Sequence, residues 1–324
     1  MIEVENLARR YGDFQAVADV SFAIAPGEVV GLLGHNGAGK TTIMKMLTGY
    51  LEPSAGHARI DGLDVVADRQ AVQGLIGYLP ENCPVYPEMT VIDYLDYQAG
   101  LHGMPDAERP AAIRQAIDRT WLQDKALDAI GTLSRGYRQR VGVAQAILHS
   151  PHILILDEPT NGLDPTQIQQ MRQLIRELAK TSTVILSTHI LQEVQAVCDR
   201  VLVMRRGQLV LDARLDELAR ERRLLVTLDA APAEAEPVLA GIEGIGKVTH
   251  LGGVPGRQRY ALGLNAAASA ATAHAVAYGA INSGLELYEL HAESRDLETL
   301  FRELNESTVT TQGQAAVQPE AAHA

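Results

Sequence analysis

Residues 29–42 read VVGLLGHNGAGKTT, an unbroken apolar run that stops at Gly34 and passes through a glycine-rich loop into TTIMKML. A short apolar run closed by glycine predicts a strand buried on both faces. The spacing of apolar residues after Lys40 predicts a helix. Between them, GHNGAGKTT is a complete G-x-x-x-x-G-K-[ST] pattern, with Lys40 and Thr41 in register. Glycines at 34, 37 and 39 let backbone amides converge on phosphate oxygens with no Cβ in the way. The helix N-terminus adds the positive end of its dipole, Lys40 reaches the β- and γ-phosphates, and the Thr41 hydroxyl is a ligand for Mg²⁺. The whole loop is therefore expected at the phosphates: Gly34, His35, Asn36, Gly37, Ala38, Gly39, Lys40, Thr41 and Thr42.

Residues 153–158 read ILILDE, four buried-strand residues that deliver Asp157 and Glu158 to the strand's C-terminal end. Ligands bind at that edge in parallel α/β sheets. Asp157 suits a Mg²⁺ shell, and Glu158 is placed to polarise an attacking water. A lone DE after a strand is weak; downstream of the glycine loop it is strong. Residues 133–140, LSRGYRQR, put Ser134 and Gly136 at a helix start, where a hydroxyl and free amides face an anion. TVILST, residues 183–188, is another buried strand, and His189 follows it at the same edge, which suits a γ-phosphate contact.

Strands alternate with helices over the first 215 residues, which argues an α/β class with a parallel sheet. IEVENL, VSFAIA and HARIDG are short strands separated by turns. Residues 82–150 read as mostly helical, with Ile113, Ala116, Ile117, Thr120 and Trp121 at helical spacing and Trp121 expected in the core. VLVMRRGQLVLD, residues 201–212, predicts a hairpin turning at Arg206 and Gly207. The composition shifts near residue 220. From Leu224 the order strand, helix, strand, strand, Ala-rich helix, strand matches the βαββαβ ferredoxin-like pattern. DLETLFRELNE, residues 296–306, predicts a closing helix, and the remaining residues read as a disordered tail. The expected organisation is 1–215, 216–305 and 306–324.

Of the 324 residues, 46% are apolar and 21% charged, which excludes pervasive disorder and collagen-like or small disulfide scaffolds. Lys+Arg is 28 against Asp+Glu 40, a net charge of -12 that disfavours nucleic acid and acidic lipid as partners. A small anion held in a local site is untouched by that argument. Cys83 and Cys198 form no CxxC and read as reduced thiols. The N-terminus lacks a signal-peptide pattern, and residues 266–281, mostly alanine, are too weakly apolar to insert in a membrane. A cytoplasmic chain is expected.

Together the motifs resemble the ATP-binding subunit of ABC transporters, over roughly residues 2–215 and in that family's order. GHNGAGKTT resembles its Walker A motif, LSRGYRQR the signature usually written LSGGQ, and ILILDE the Walker B motif with its glutamate. NGLD ending at Asp164 resembles the D-loop, and STH ending at His189 the switch histidine. The resemblance implies a P-loop cassette with a mostly parallel core sheet, an N-terminal antiparallel β-subdomain, a helical signature subdomain at about 82–150 and a small α+β domain appended. It implies that Tyr11 stacks on adenine, that Lys40, Glu158 and His189 are catalytic, and that Thr41, Asp157 and Glu81 serve Mg²⁺. Two cassettes, of this chain or a close paralogue, would pair head-to-tail. Each ATP would lie between the Walker A loop of one and Ser134 and Gly136 of the other, with Asp164 nearby.

Two positions depart from the family's pattern. Arg135 stands where the signature has glycine. Glu81, in IGYLPEN, stands where glutamine is usual, and an added carboxylate beside phosphates needs a metal to offset it. YLPEN and LSRGYRQRVGVAQAIL are similar to a branch that includes gliding-motility and copper-enzyme-maturation ATPases, related to drug-resistance exporters. That branch implies a separate membrane-spanning permease docked near residues 81–97, at the cytoplasmic face, serving export. For the C-terminal domain three roles stay open: regulating closure, dimerising, or binding an accessory protein. Two other readings stay open. One is a non-transport ABC ATPase on ribosomes or DNA, against which stand the single cassette, the lack of sustained heptads and the acidic charge. The other is an ATP-dependent dimerisation module whose turnover the changes at Glu81 and Arg135 have abolished.

Overall fold

Alternating burial along the first two strands, β1 (Ile2–Tyr11) and β2 (Phe14–Ile24), turns one face of each to the core and one outward. The computed structural model describes residues 1–220, 222–265, 267–269, 271–294, 297, 300 and 301. It pairs these strands antiparallel, with Tyr11 opposite Phe14 across the turn. All five residues of β3 (Val29–Leu33) are buried, as a strand covered on both faces requires. The helix α1 (Lys40–Leu47) buries Ile43, Met44, Met46 and Leu47. The strands β4 (Ala55–Ile60) and β5 (Leu63–Asp64) complete an antiparallel sheet of order β2-β1-β4-β5. Then come α2 (Arg69–Leu75) and β6 (Ile76–Leu79).

The helical region holds α3 (Val91–Leu101), α4 (Arg109–Arg119) and α5 (Arg135–Ile147). Side-chain caps start two of them: Thr90 accepts from the Asp93 amide at 3.2 Å, and Ser134 from the Tyr137 amide at 3.4 Å. Trp121 is not a core residue. Its backbone turns through φ 55° just past the end of α4, leaving the ring half-buried with the Arg140 guanidinium 5.5 Å from its centroid.

The strand β7 (Ile153–Asp157) is buried throughout, like β3. Asp164 then caps α6 (Pro165–Ala179), accepting from the Gln167 amide at 2.9 Å, with Pro165 at the first helical position. Met171, Leu174, Ile175 and Leu178 form the buried stripe of α6 at helical spacing. After it come β8 (Thr183–Thr188), α7 (Leu191–Val197), β9 (Arg200–Arg205) and β10 (Gln208–Arg214). The hairpin between β9 and β10 turns at the expected residues, Arg206 with φ 48° and Gly207 with φ 80°, the pair of positive angles that a type I′ turn needs. The six strands line up as β10-β9-β3-β8-β7-β6, parallel except for β10 at the edge. One apolar core joins the two sheets: Val4, Val17 and Ile60 pack with Met44 and Leu47 of α1 and with Ile155, Ile185 and Leu202. The glycine loop thus emerges from the middle of the parallel sheet, with its helix wedged between the two layers.

The chain packs as two compact units, Met1–Arg214 and the residues from Leu215 on. In the second unit α8 (Leu215–Arg220) and β11 (Arg222–Leu228) precede α9 (Pro232–Ala240), β12 (Ile245–Val254), β13 (Arg257–Leu264), α10 (Thr272–Asn282) and β14 (Leu287–Ser294). The sheet is antiparallel in the order β12-β13-β11-β14, which is the ferredoxin-like arrangement expected of βαββαβ. Leu224, Val226 and Leu228 of β11 share a core with Leu239 of α9 and with Val276 and Ala280 of α10. The expected tail, and all but Leu297, Leu300 and Phe301 of the expected closing helix, lie outside the described residues. Among the described residues no helix is long and apolar enough to cross a membrane.

Candidate functional site

The glycine loop is fixed from three sides before any ligand is considered. A Cβ at Gly34 would stand 2.5 Å from the Met204 carbonyl oxygen, so only glycine lets the end of β3 pass β9. The Gly34 amide donates to the Thr188 carbonyl at 3.3 Å and the Ala38 amide to the His35 carbonyl at 3.0 Å. Gly34 therefore serves the loop by close packing, with its amide already engaged. The Gly207 amide donates to the Ala38 carbonyl at 3.0 Å, tying the β9–β10 turn to the loop. Gly39 enters α1 at φ 104°, and the first helical bond runs from the Ile43 amide to its carbonyl at 3.0 Å. The amides of Lys40, Thr41 and Thr42 precede that bond, at the positive end of the helix.

Lys40 is buried at 6% exposure, its Nζ donating to the Gly34 carbonyl at 2.7 Å and lying 3.3 Å from Oε1 of Glu158. Oε2 of Glu158 accepts from Nδ1 of His189 at 2.9 Å. Lys40, Glu158 and His189, 149 residues apart at the extremes by sequence number (189 − 40), thus form one chain of contacts across the strand ends. Glu158 holds this place with φ 49°, a left-handed backbone costly for a side chain with a Cβ. Its amide donates to the Ser187 hydroxyl at 2.9 Å, and that hydroxyl donates to Oδ1 of Asp157. The Thr41 hydroxyl donates to the same oxygen at 3.3 Å.

Asp157 is 1% exposed and its Oδ2 is buried with no hydrogen-bond partner. Burial raises its pKa above the ordinary 3.8, the bonds from Ser187 and Thr41 oppose that shift, and the charges of Glu81 and Glu158 add to it. An orphaned carboxylate oxygen beside a threonine hydroxyl is a donor set that fits Mg²⁺. Among the described residues no cluster of three or more His, Cys, Asp or Glu could hold a metal alone, so the remaining ligands would be phosphate and water.

Beside these groups lies a cleft of about 470 Å³ lined by residues 36–42, Glu81, Glu158, Asn161 and His189 and by Tyr11, Phe14 and Ala16. Gly34 and His35 are not part of its wall. Neither are Ser134, Gly136 and Asp164; a Cβ on Gly136 would stand 2.6 Å from the side chain of Gln167, in the helix that Asp164 caps. Arg135 lies over Gly162, its Cζ 2.5 Å from where a Cβ on Gly162 would be. Sequence reasoning missed Phe14, Asn161 and Ser187. Asn161 donates to Oε1 of Glu81 at 3.1 Å, and Phe14, 64% exposed, faces the cleft beside Tyr11. The available signal was an aromatic directly across a tight turn from Tyr11.

A glycine loop at a helix N-terminus, facing a carboxylate pair two strands away in a parallel sheet, belongs to the P-loop nucleotide hydrolases. A family model described as ABC transporter matches residues 17–161. The ABC transporter ATP-binding protein YxlF of Bacillus subtilis (strain 168) is 38% identical over 223 residues, 69% of this chain and 74% of that protein. The bacitracin transport ATP-binding protein BcrA of Bacillus licheniformis is 35% identical over 225 residues, 69% of this chain and 72% of that one. A solved ATP-binding subunit of an ABC transporter superimposes with a TM-score of 0.61 at 30% identity, over 68% of this chain and 92% of that one. The chain belongs to the ABC transporter family as an ATP-binding, ATP-hydrolysing subunit.

Proposed function

We propose that the chain energises export through a separate membrane-spanning permease, acting from the cytoplasmic face as a pair of cassettes that close on two ATP. The contact chain Lys40–Glu158–His189 carries this reading. The transport function named for the bacitracin relative supports it, and so does the likeness of YLPEN and LSRGYRQR to exporter cassettes. The permease would dock near residues 81–97, where Tyr86 and Tyr97 are exposed and meet edge to face at 5.8 Å. The cassette proper is assigned to residues 1–215 and the appended α+β domain to 216–305.

The site residues then take these roles. The amides of Asn36, Gly37 and residues 39–42, together with the Lys40 ammonium, bind the phosphates, which compete with the Gly34 carbonyl and Glu158 for that ammonium. Tyr11 stacks on adenine, with the Arg9 guanidinium 4.8 Å behind its ring. Thr41 and Asp157 would hold Mg²⁺ with phosphate oxygens, Glu81 standing at the edge of that shell. When bound, the metal supplies positive charge against the triphosphate. Glu158 orients the attacking water, and His189 contacts the γ-phosphate while steadying the glutamate. Ser134 and Gly136 complete the partner's site, beside Asp164. Catalysis is positioning and charge stabilisation.

Steady-state ATPase of the purified chain, alone and with its permease, tests the assignment. Glu158→Gln should retain ATP binding while hydrolysis falls about 100-fold or more. Hydrolysis unchanged in that variant refutes the role given to Glu158. No hydrolysis by the unaltered chain in either setting favours the dimerisation module.

A further inference from the structure

Glu193, in the first turn of α7, is 3% exposed and pairs with no cation among the described residues. Its Oε1 accepts from the Thr160 hydroxyl, and its Oε2 accepts from the Thr188 hydroxyl at 2.6 Å. Thr160 lies two residues past Glu158, in a turn closed by the Asn161 amide donating to the Glu158 carbonyl at 3.1 Å. Thr188 ends β8 directly before His189, and its hydroxyl also accepts from the Ile190 amide at 3.0 Å. None of the three lines the cleft.

A carboxylate this deep is disfavoured unless its oxygens are hydrogen-bonded, and an apolar residue of similar volume would spare the chain the desolvation. What the carboxylate has that an apolar side chain lacks is two acceptor oxygens aimed in different directions. Here those directions lead to the two segments that carry Glu158 and His189.

We propose that Glu193 is a positioning residue for ATP hydrolysis: its single carboxylate ties the turn after β7 to the end of β8. The tie holds Nδ1 of His189 at 2.9 Å from Oε2 of Glu158. This rests on the roles proposed above for Glu158 and His189. Glu158 is buried but sits on a strained backbone, and His189 is 40% exposed, so burial alone does not fix the pair. A displacement of about 1 Å between such groups is enough to cost on the order of 100-fold in rate.

The test compares kcat and KM for ATP, with ATP affinity and Tm measured on the same full-length proteins. Glu193→Ala should lower kcat at least about tenfold while KM and ATP affinity move less than about twofold, because the phosphate loop is not touched. At Thr160 and Thr188, Thr→Val keeps the shape and removes the hydroxyl, whereas Thr→Ser keeps the hydroxyl and loses a methyl. If the tie acts through hydrogen bonds, both valine variants lose kcat and both serine variants recover most of it. If these residues only fill space, the serine variants are impaired as much as the valine variants or more, and the proposal is overturned. The threonine pairs decide the matter even where Glu193→Ala fails to fold. Glu158→Gln run alongside separates the two levels: a kcat unaffected there removes the underlying roles and this proposal together. A kcat abolished there, with the valine variants unaffected, removes this proposal alone.

Discussion

Asp157 carries a conflict between folding and function on one side chain. Its pKa is raised chiefly by burial, so the folded chain binds this proton more tightly than the unfolded chain does. The group therefore imposes no penalty at pH below the ordinary 3.8, and destabilises the fold progressively as pH rises from there through its raised value. Asp157→Asn removes that charge while keeping the shape. At neutral pH it should raise the Tm of the ligand-free protein, by a stability gain on the order of 1 kcal/mol, and abolish hydrolysis if Asp157 holds Mg²⁺ as proposed. The gain in Tm should shrink as the pH is lowered toward 3.8; a constant difference across the pH series would assign it to something other than this charge. Asp157 and Glu158 were legible as a pair at a strand end because ILILDE lies downstream of the glycine loop. Ser187, which bonds both, was not, since a serine near the end of TVILST reads as an ordinary strand terminus. Glu193 was hidden for a similar reason: a glutamate in the first turn of a short helix looks like surface charge until the neighbouring strands are in place.

Elements were read most securely where burial on both faces leaves a continuous apolar run, as in β3 and in Ile153–Leu156 of β7. Between elements the sequence is nearly silent. Gly34 belongs to the loop's pattern, yet its requirement comes from the Met204 carbonyl, 170 residues away by number (204 − 34). The hairpin of β9 and β10 shows the same blend. Its turn residues were evident, but not that the turn rests against the phosphate loop through Ala38 and against β2 through the Ala18 amide, 2.8 Å from the Gly207 carbonyl. Gly207→Ala meets both a φ of 80° and a Cβ 2.8 Å from the Ala16 carbonyl oxygen. It should cost about 1–3 kcal/mol in a denaturant titration. Because Ala38 moves with the turn, its ATP affinity should fall as well; full affinity with lost stability would show that the turn supports the fold and not the loop.

At the scale of the molecule, the first compact unit ends at Arg214. The βαββαβ order was legible from strand and helix spacing, whereas the neighbour order β12-β13-β11-β14 depends on pairings between residues far apart in the chain. The first unit has its own apolar core. A protein ending at residue 214 should unfold in one cooperative transition and retain ATP hydrolysis, as measured by calorimetry and a coupled phosphate assay. A broad, non-cooperative transition would mean that the first unit depends on the second.

Tyr11 ends β1 of the antiparallel sheet, and Lys40 opens α1, the helix that follows β3 of the parallel sheet. A nucleotide gripped at both is a brace between two layers that otherwise meet through greasy side chains, which can slide. Deuterium exchange should register the brace: amides near the β1–β2 turn should slow when ATP binds but not when inorganic triphosphate does, and Tyr11→Ala should erase the difference. Slowing of equal size with either ligand would leave the base end ungripped. If Tyr11 takes the proposed stacking role, the adenine has a mechanical duty, stiffening one layer against the other.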